Sequence, residues 1–427
     1  MNRIEKIPLL KGKSVTAIMF VVLALIAIII KSIQCLHDGG MVHLFLGAAQ
    51  IMFQKIPIYN HPIHIIRDIY QQYSYSPFFV FILIPVSFIK GDIVEILWLL
   101  LNIFFMYRIA RILSAHLKAF QLTQTQMEVL LLLTLAFSFR FILSNFGEAQ
   151  MNIFLLYVCL ESLNLVARKK LIAGSALLAL GISVKIIPVI LLPYLLYRSC
   201  FKEAATTILL LVLFFLTPYL FFESNYVSQL YINWWKVIHP GNSDFILHEN
   251  NWEGIQSISA LCAAIFTSEN HRYDLTRNIC VLDESTLNWV ITIIRLLFLI
   301  SVLFFLRTFP FKKNNSELKS TWELSYIFLI TPIVFPHQGP YSFVFIAPAV
   351  AFIIRYLILN WKTEDSKMRV YIIFSFIVLS FILTTITTDG IIGRHYCDLA
   401  NYFKLITYGT IILIIPLYMS RPEKELK

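Results

Sequence analysis

The chain has 427 residues, 58% of them hydrophobic and 15% aromatic, and only 14% carry a charge. A soluble globular domain carries about 25% charged residues, so this chain lacks the polar surface for two or three water-facing domains. That excludes a soluble enzyme, a nucleic-acid-binding protein and a disordered chain, and it leaves a polytopic, all-α membrane protein.

The net charge of +10 then belongs to cytoplasmic loops, where Lys and Arg set orientation. The six cysteines show no CxxC spacing, so the sequence carries no readable zinc or redox motif. At the N-terminus Arg3, Lys6, Lys11 and Lys13 precede an apolar run. No small-residue cleavage site follows and Lys31 closes the run, which reads as a retained first helix.

Apolar runs fall at 14–34, 77–89, 93–110, 128–145, 150–167, 171–183, 186–198, 203–222, 287–307, 322–335, 342–360, 370–387 and 403–419. A spanning helix needs about 20 such residues, fewer inside a bundle. Basic loops lie at 1–13, 108–118, 168–170, 198–202, 307–319, 362–369 and 421–427. Placing all of them on the cytoplasmic side leaves residue 35 outside and residue 108 inside with two runs between them, so one run does not cross. The run 77–89 starts in Tyr-Ser-Tyr-Ser-Pro (73–77) and is broken again at Pro85. It is assigned to the outer interface as a juxtamembrane or re-entrant helix. About twelve spans remain, with both termini cytoplasmic. Residues 1–427 form one integral membrane domain, and its two large outer segments are 35–92 and 223–286.

This topology gathers polar residues from separate turns on the outer face. Asp38 follows the first span and precedes Gly39-Gly40. Met41 to Phe53 reads as an amphipathic helix whose thin polar stripe is His43, Gly47, Gln50 and Gln54, a helix suited to the interface. Two roles fit Asp38: general base on an acceptor hydroxyl at headgroup depth, or N-cap of the next helix. Lys185, in Gly181-Ile-Ser-Val-Lys185-Ile-Ile-Pro188, either pairs with a lipid phosphate or snorkels from a helix end. Glu148, Gln150 and Asn152 either hydrogen-bond sugar hydroxyls or cap and cross-link helices. His337, in Pro336-His337-Gln338, donates to a phosphate or sugar, or caps a helix; spacing alone favours the cap. The loop 223–286 adds Asn250, Asn251 and Gln256, the interface-type Trp234, Trp235 and Trp252, and Cys262 and Cys280, which share an oxidising side and are candidates for a disulfide.

In this order the motifs resemble those of the GT-C fold glycosyltransferases, and among them glycosyltransferase family 87. The family's opening Asp, Ala-Ala helix, Pro, Tyr and Tyr-x-Pro are matched by Asp38, Ala48-Ala49, Pro57, Tyr59 and Tyr75-Ser-Pro77. Its Gly-Gln-x-Asn is matched by Ala149-Gln150-Met151-Asn152, its Lys-x-x-Pro by Lys185-Ile-Ile-Pro188, its Asn-Gln-Ser by Asn250-Asn251 and Gln256-Ser257, and its late Ser-Pro…His by Thr331-Pro332 and His337. Counted back from Ala48, the family's Asp position falls on Gly40, two residues after Asp38.

The resemblance implies inverting transfer of a hexose, mannose in the first instance, from a polyprenyl-phosphate donor to a lipid or glycan acceptor outside the cytoplasm. Asp38 then deprotonates the acceptor, and Lys185 or His337 meets the charge of the departing phosphate. His43, Glu148, Gln150, Asn152, Asn251 and Gln256 complete the expected substrate-binding set. No metal-ligand spacing is present and no cofactor is expected. The partners are the lipid-linked donor, the acceptor and membrane lipids, not nucleic acid, in a multi-pass protein of the plasma or inner membrane. Two competing readings are a transporter or flippase of lipid-linked saccharide, which needs charges deep in its spans and inverted repeats, and a polymerase or ligase of surface glycan, which shares the outer-face chemistry.

Overall fold

A computed structural model describes residues 15–422 apart from 60–61, 67–68, 119–121, 240–253, 269–274, 308, 313–315 and 363–366. The chain is predominantly helical. The first helix, α1 (Val15–Asp38), is about 36 Å long at 1.5 Å per residue, enough for a hydrocarbon core of roughly 30 Å. Its exposed Leu23, Ile26, Ile29 and Ile33 form the lipid-facing side. Gly39, at φ 78°, ends it, with its amide donating to the Cys35 carbonyl. Only glycine adopts that left-handed geometry without steric cost.

The short α2 (Met41–Phe53) follows, and then a two-stranded antiparallel ribbon, β1 (Ile63–Ile66) with β2 (Ile69–Gln71), in which Ile63 pairs with Gln71. An all-α reading did not include this ribbon. Its β-branched and aromatic residues favour a pleated pair, and with three or four residues a strand it carries no periodicity to detect. Next, α3 (Pro77–Leu83) has Ser76 as N-cap, accepting from the Phe79 amide. Seven residues span about 10 Å, so this helix cannot cross a bilayer. The parity argument required the same.

Helices lie at all twelve remaining runs. Among the described residues seven of them are long and apolar enough to cross a membrane, or eight if Arg394–Tyr402 and Leu405–Met419, bent by 65°, make one broken span. These seven include α4 (Gly91–Lys118), α5 (Gln124–Gly147) and α9 (Phe201–Leu216). The runs at α6 (Asn152–Ala167), α7 (Leu171–Val184) and Ile187–Tyr197, which ends in α8 (Leu191–Tyr197), are apolar but shorter. The helix Glu317–Val334 carries Glu317, Lys319 and Glu323 in its first two turns. The most enclosed segment is Pro340–Asn360, where Phe343, Phe345 and Phe352 are fully buried in the single large core.

Contacts sort the bundle into two ends. At the basic end His116 lies 2.8 Å from Glu317, the Phe311 amide donates to the Tyr197 carbonyl, and Arg307 and Arg369 bond to Tyr418 and the Met419 carbonyl. At the other end the segment 35–92 meets the later turns. Trp234 donates to the Ser74 carbonyl, Tyr226 to the Ile56 carbonyl, and Lys55 lies 3.2 Å from Glu223. Trp234 is buried by that role and Trp235 is 53% exposed, so of this pair only Trp235 is free to anchor at an interface. Cys262 is buried, Cys280 is exposed and both thiols are free, so the candidate disulfide is not formed.

Candidate polar site at the non-basic end

The turn after α5 forms one wall. Glu148 caps α5 and accepts hydrogen bonds from Ser144 (3.2 Å) and Gln150 (3.1 Å). Its carbonyl accepts from the Met41 amide at 2.9 Å, and the Ala149 carbonyl accepts from the Trp98 indole at 3.1 Å. These two bonds tie the turn to α2 and α4. Ala149 has φ 49°, in the left-handed region, which accounts for a glycine preference at this place in the Gly-Gln-x-Asn pattern. Glu148 is solvent-accessible yet deeply set, and burial pushes its carboxyl above the usual carboxylate range while Gln150 and Ser144 pull it back.

Lys185 is the first non-helical residue after α7. Its ammonium lies 5.6 Å from the Tyr75 ring and 5.9 Å from the Tyr341 ring, a cation–π setting. It has no carboxylate partner among the described residues. Burial pushes it down to about 8. The backbone is held there by Ser76, whose hydroxyl donates to the Ser183 carbonyl. Tyr341 joins the two walls, since its carbonyl accepts from Asn145 at 2.7 Å. Asn152, fully buried, has its Oδ1 3.4 Å from the Ser342 hydroxyl, and its Nδ2 has no partner.

The structure therefore brings Glu148, Gln150, Asn152 and Lys185 together around Tyr75 and Tyr341. Tyr341 and Ser342 carried no sequence signal, because they sit at the start of an apolar run. His337, half-buried at φ 33°, lies in the turn that leads to Tyr341. Gln256 serves the scaffold instead: it is fully buried, its side chain donates to the Asn401 carbonyl at 3.0 Å, and its amide donates to Gln338. Asn251 lies outside the described residues.

Asp38 is the last residue of α1, with its side chain 67% exposed and 2.9 Å from His37. The N-cap of α2 is Gly40, without a side-chain bond, so the capping role is absent. Position 40 has no room for a side chain, because a Cβ there would overlap Glu95 Oε1 and come within 2.7 Å of Cys35 Sγ. Glu95, buried in α4, accepts from Cys35 at 3.1 Å and lies 3.0 Å from His43 Nε2. The polar stripe of α2 consequently packs onto residues 87–95, with Gln50 donating to the Ser87 carbonyl. His43 pairs with Glu95 and belongs to this packing rather than to the Lys185 cluster. No group of three or more His, Cys, Asp or Glu able to hold a metal ion occurs among the described residues.

No curated protein and no solved structure matches the chain. A family model for glycosyltransferase family 87 matches residues 73–336, more than half of the chain, and that span contains Tyr75, Glu148, Gln150, Asn152 and Lys185. It begins after Asp38 and His43 and ends one residue before His337. With apolar helices of membrane-spanning length and a polar cluster inside the matched span, the chain belongs to glycosyltransferase family 87 and is a membrane glycosyltransferase.

Proposed function

We propose that the protein transfers a hexose, mannose in the first instance, from a polyprenyl-phosphate sugar to a lipid or glycan acceptor, inverting the anomeric centre. The observation that carries this reading is Lys185, an ammonium without an acid partner, set between two tyrosine rings and opposite hydrogen-bonding side chains. A phosphate diester satisfies that charge, and the amides of Gln150 and Asn152 offer both donors and acceptors to sugar hydroxyls. Asp38 takes the proton from the acceptor hydroxyl as its oxygen attacks the anomeric carbon. The sugar–phosphate bond breaks with the electron pair going to the phosphate oxygen, where Lys185 and His337 stabilise the charge. Phosphate leaves without protonation, so the reaction calls for no general acid. The fold proposed is GT-C, with twelve crossings and the non-basic end facing away from the cytoplasm of a cell membrane.

The transporter reading has less support. Glu161 is held by Arg108 at 2.7 Å, and Arg295 by Ser259, so these two charges are engaged in structural pairs.

Two measurements test the proposal. Purified protein incubated with polyprenyl-phosphate-mannose and lipid acceptors is expected to form a mannosylated product of inverted configuration; no product with any hexosyl donor of this class overturns the reading. For orientation, the exposed Lys90 precedes α4 on the side of the polar cluster. A Lys90→Cys protein with Cys280→Ser is expected to react with membrane-impermeant maleimide in intact cells. Labelling only after the membrane is opened would reverse the topology.

A further inference from the structure

Asp38 has little side-chain support of its own. Among the described residues its carboxylate bonds to His37 alone, and both side chains are exposed. Its place is therefore set by the backbone on either side of it, and that backbone is gripped from one point on α4. Glu95, one turn into α4, is fully buried. Its Oε1 accepts from Cys35 Sγ at 3.1 Å, and its Oε2 lies 3.0 Å from His43 Nε2. Cys35 precedes Asp38 by three residues and His43 follows it by five. Between them Gly40 leaves bare the space that the Glu95 carboxylate occupies. Gly91, one turn earlier on α4, leaves room for the His43 ring, whose Cε1 comes within 2.6 Å of where a Cβ would stand. A carboxylate taken out of water is costly unless it is paired and hydrogen-bonded, and a hydrocarbon side chain would fill this helix face without that cost. What the acid adds is a hold on the chain at both sides of Asp38.

The same face of α4 holds the turn after α5. Trp98, three residues beyond Glu95 and so its neighbour on the helix surface, donates to the Ala149 carbonyl at 3.1 Å. The Ala149 Cβ in turn lies against Gly40, and the Met41 amide donates to the Glu148 carbonyl at 2.9 Å. The corner that bears Asp38 and the turn that bears Glu148, Gln150 and Asn152 are thus registered against one helix. We propose that Glu95 is a positioning residue for the transfer, fixing Asp38 at a set distance from the turn 148–152. The inference rests on the reading of Asp38 as the base. A general base works only within hydrogen-bond reach of the proton it takes, and a displacement of about 1 Å costs about 10²-fold in rate. Glu95 itself has no exposed surface and does not meet the substrate.

The test is a double-mutant cycle on the full-length protein, with kcat and donor KM measured on polyprenyl-phosphate-mannose and a lipid acceptor. Glu95→Ala is expected to lower kcat by about 10²-fold and to leave the donor KM unchanged. In an Asp38→Asn background the same substitution is expected to cost nothing further, because no base remains to be misplaced. Glu95→Gln keeps the size of the side chain and an acceptor for Cys35, and it is expected to retain most of the turnover. Where Glu95→Ala fails to fold, Cys35→Ala removes one of the two holds and is expected to lower kcat by about tenfold, the worth of one hydrogen bond, again only while Asp38 is present. Equal losses in the two backgrounds, for either variant, show a general structural role and overturn the proposal. A collapse in Glu95→Gln as deep as in Glu95→Ala moves the proton transfer to Glu95 and overturns it as well. Full turnover in Glu95→Ala, beside lost turnover in Asp38→Asn, overturns the positioning role alone and leaves the transfer reading standing. Full turnover in Asp38→Asn removes the base, and the positioning role falls with it.

Discussion

Replacing Asp38 with asparagine is expected to lower hexosyl turnover by about 10²–10⁴-fold, the usual contribution of a positioned general base, with little change in the KM for the donor. The carboxylate stands at the C-terminal end of α1, 67% exposed. The same position keeps it exposed to an incoming acceptor. Glu148 provides the control. Its two oxygens already accept from Ser144 and Gln150, so in the proposed reaction it shapes the sugar pocket and takes no proton. Glu148→Gln is expected to raise KM and to reduce kcat by no more than about tenfold, consistent with the loss of one or two hydrogen bonds. Steady-state kinetics on both proteins, with thermal melting to check folding, separates the assignments. Full turnover in Asp38→Asn removes it as base, and a collapse of kcat in Glu148→Gln alone moves the base to that residue.

The second large effect is expected at Lys185. Removing a charged group aimed at a leaving phosphate costs about 10²–10³ in rate in comparable sites, and Lys185→Gln is expected to lose that much in kcat/KM. The wild-type protein should also show a pH signature. Burial lowers the Lys185 ammonium to about 8, so the cation is present below that pH and is lost as pH rises through it. A sugar phosphodiester stays singly charged across this range. The donor KM is therefore expected to be flat below pH 8 and to climb by about tenfold per pH unit above it, with the break shifted upward at saturating donor because the bound anion favours the ammonium. The Lys185→Gln protein should show no such break. A break that persists in it would place the titrating group elsewhere.

Much of this site was legible because membrane topology is written in composition. Glu148, Gln150, Asn152 and Lys185 stand out as polar residues in apolar surroundings, and the positive-inside rule places them on one side. What could not be read were side chains whose role depends on a partner distant in sequence. Glu95 sits early in an apolar helix and gains its meaning from Cys35, His43 and the bare Gly40. The stripe His43–Gln50 looked like an interface-facing edge, since an amphipathic pattern reports that one face differs without naming what covers it; the cover is the corner at residues 87–95. Gln256 resembled a ligand-binding glutamine in its motif, and its buried side chain donates to the Asn401 carbonyl, a partner distant in sequence.

By itself the sequence determined the class of solvent, the positions of the helices and that the run 77–89 holds too short a helix to cross. Each of these follows from local hydrophobicity and charge, which the bilayer reads residue by residue. Tertiary structure alone decided which polar residues meet and that Gly40 has its side-chain space filled by Glu95. Those outcomes depend on distances between helices far apart in the chain, and close packing sets them through the volumes of side chains that local pattern does not record.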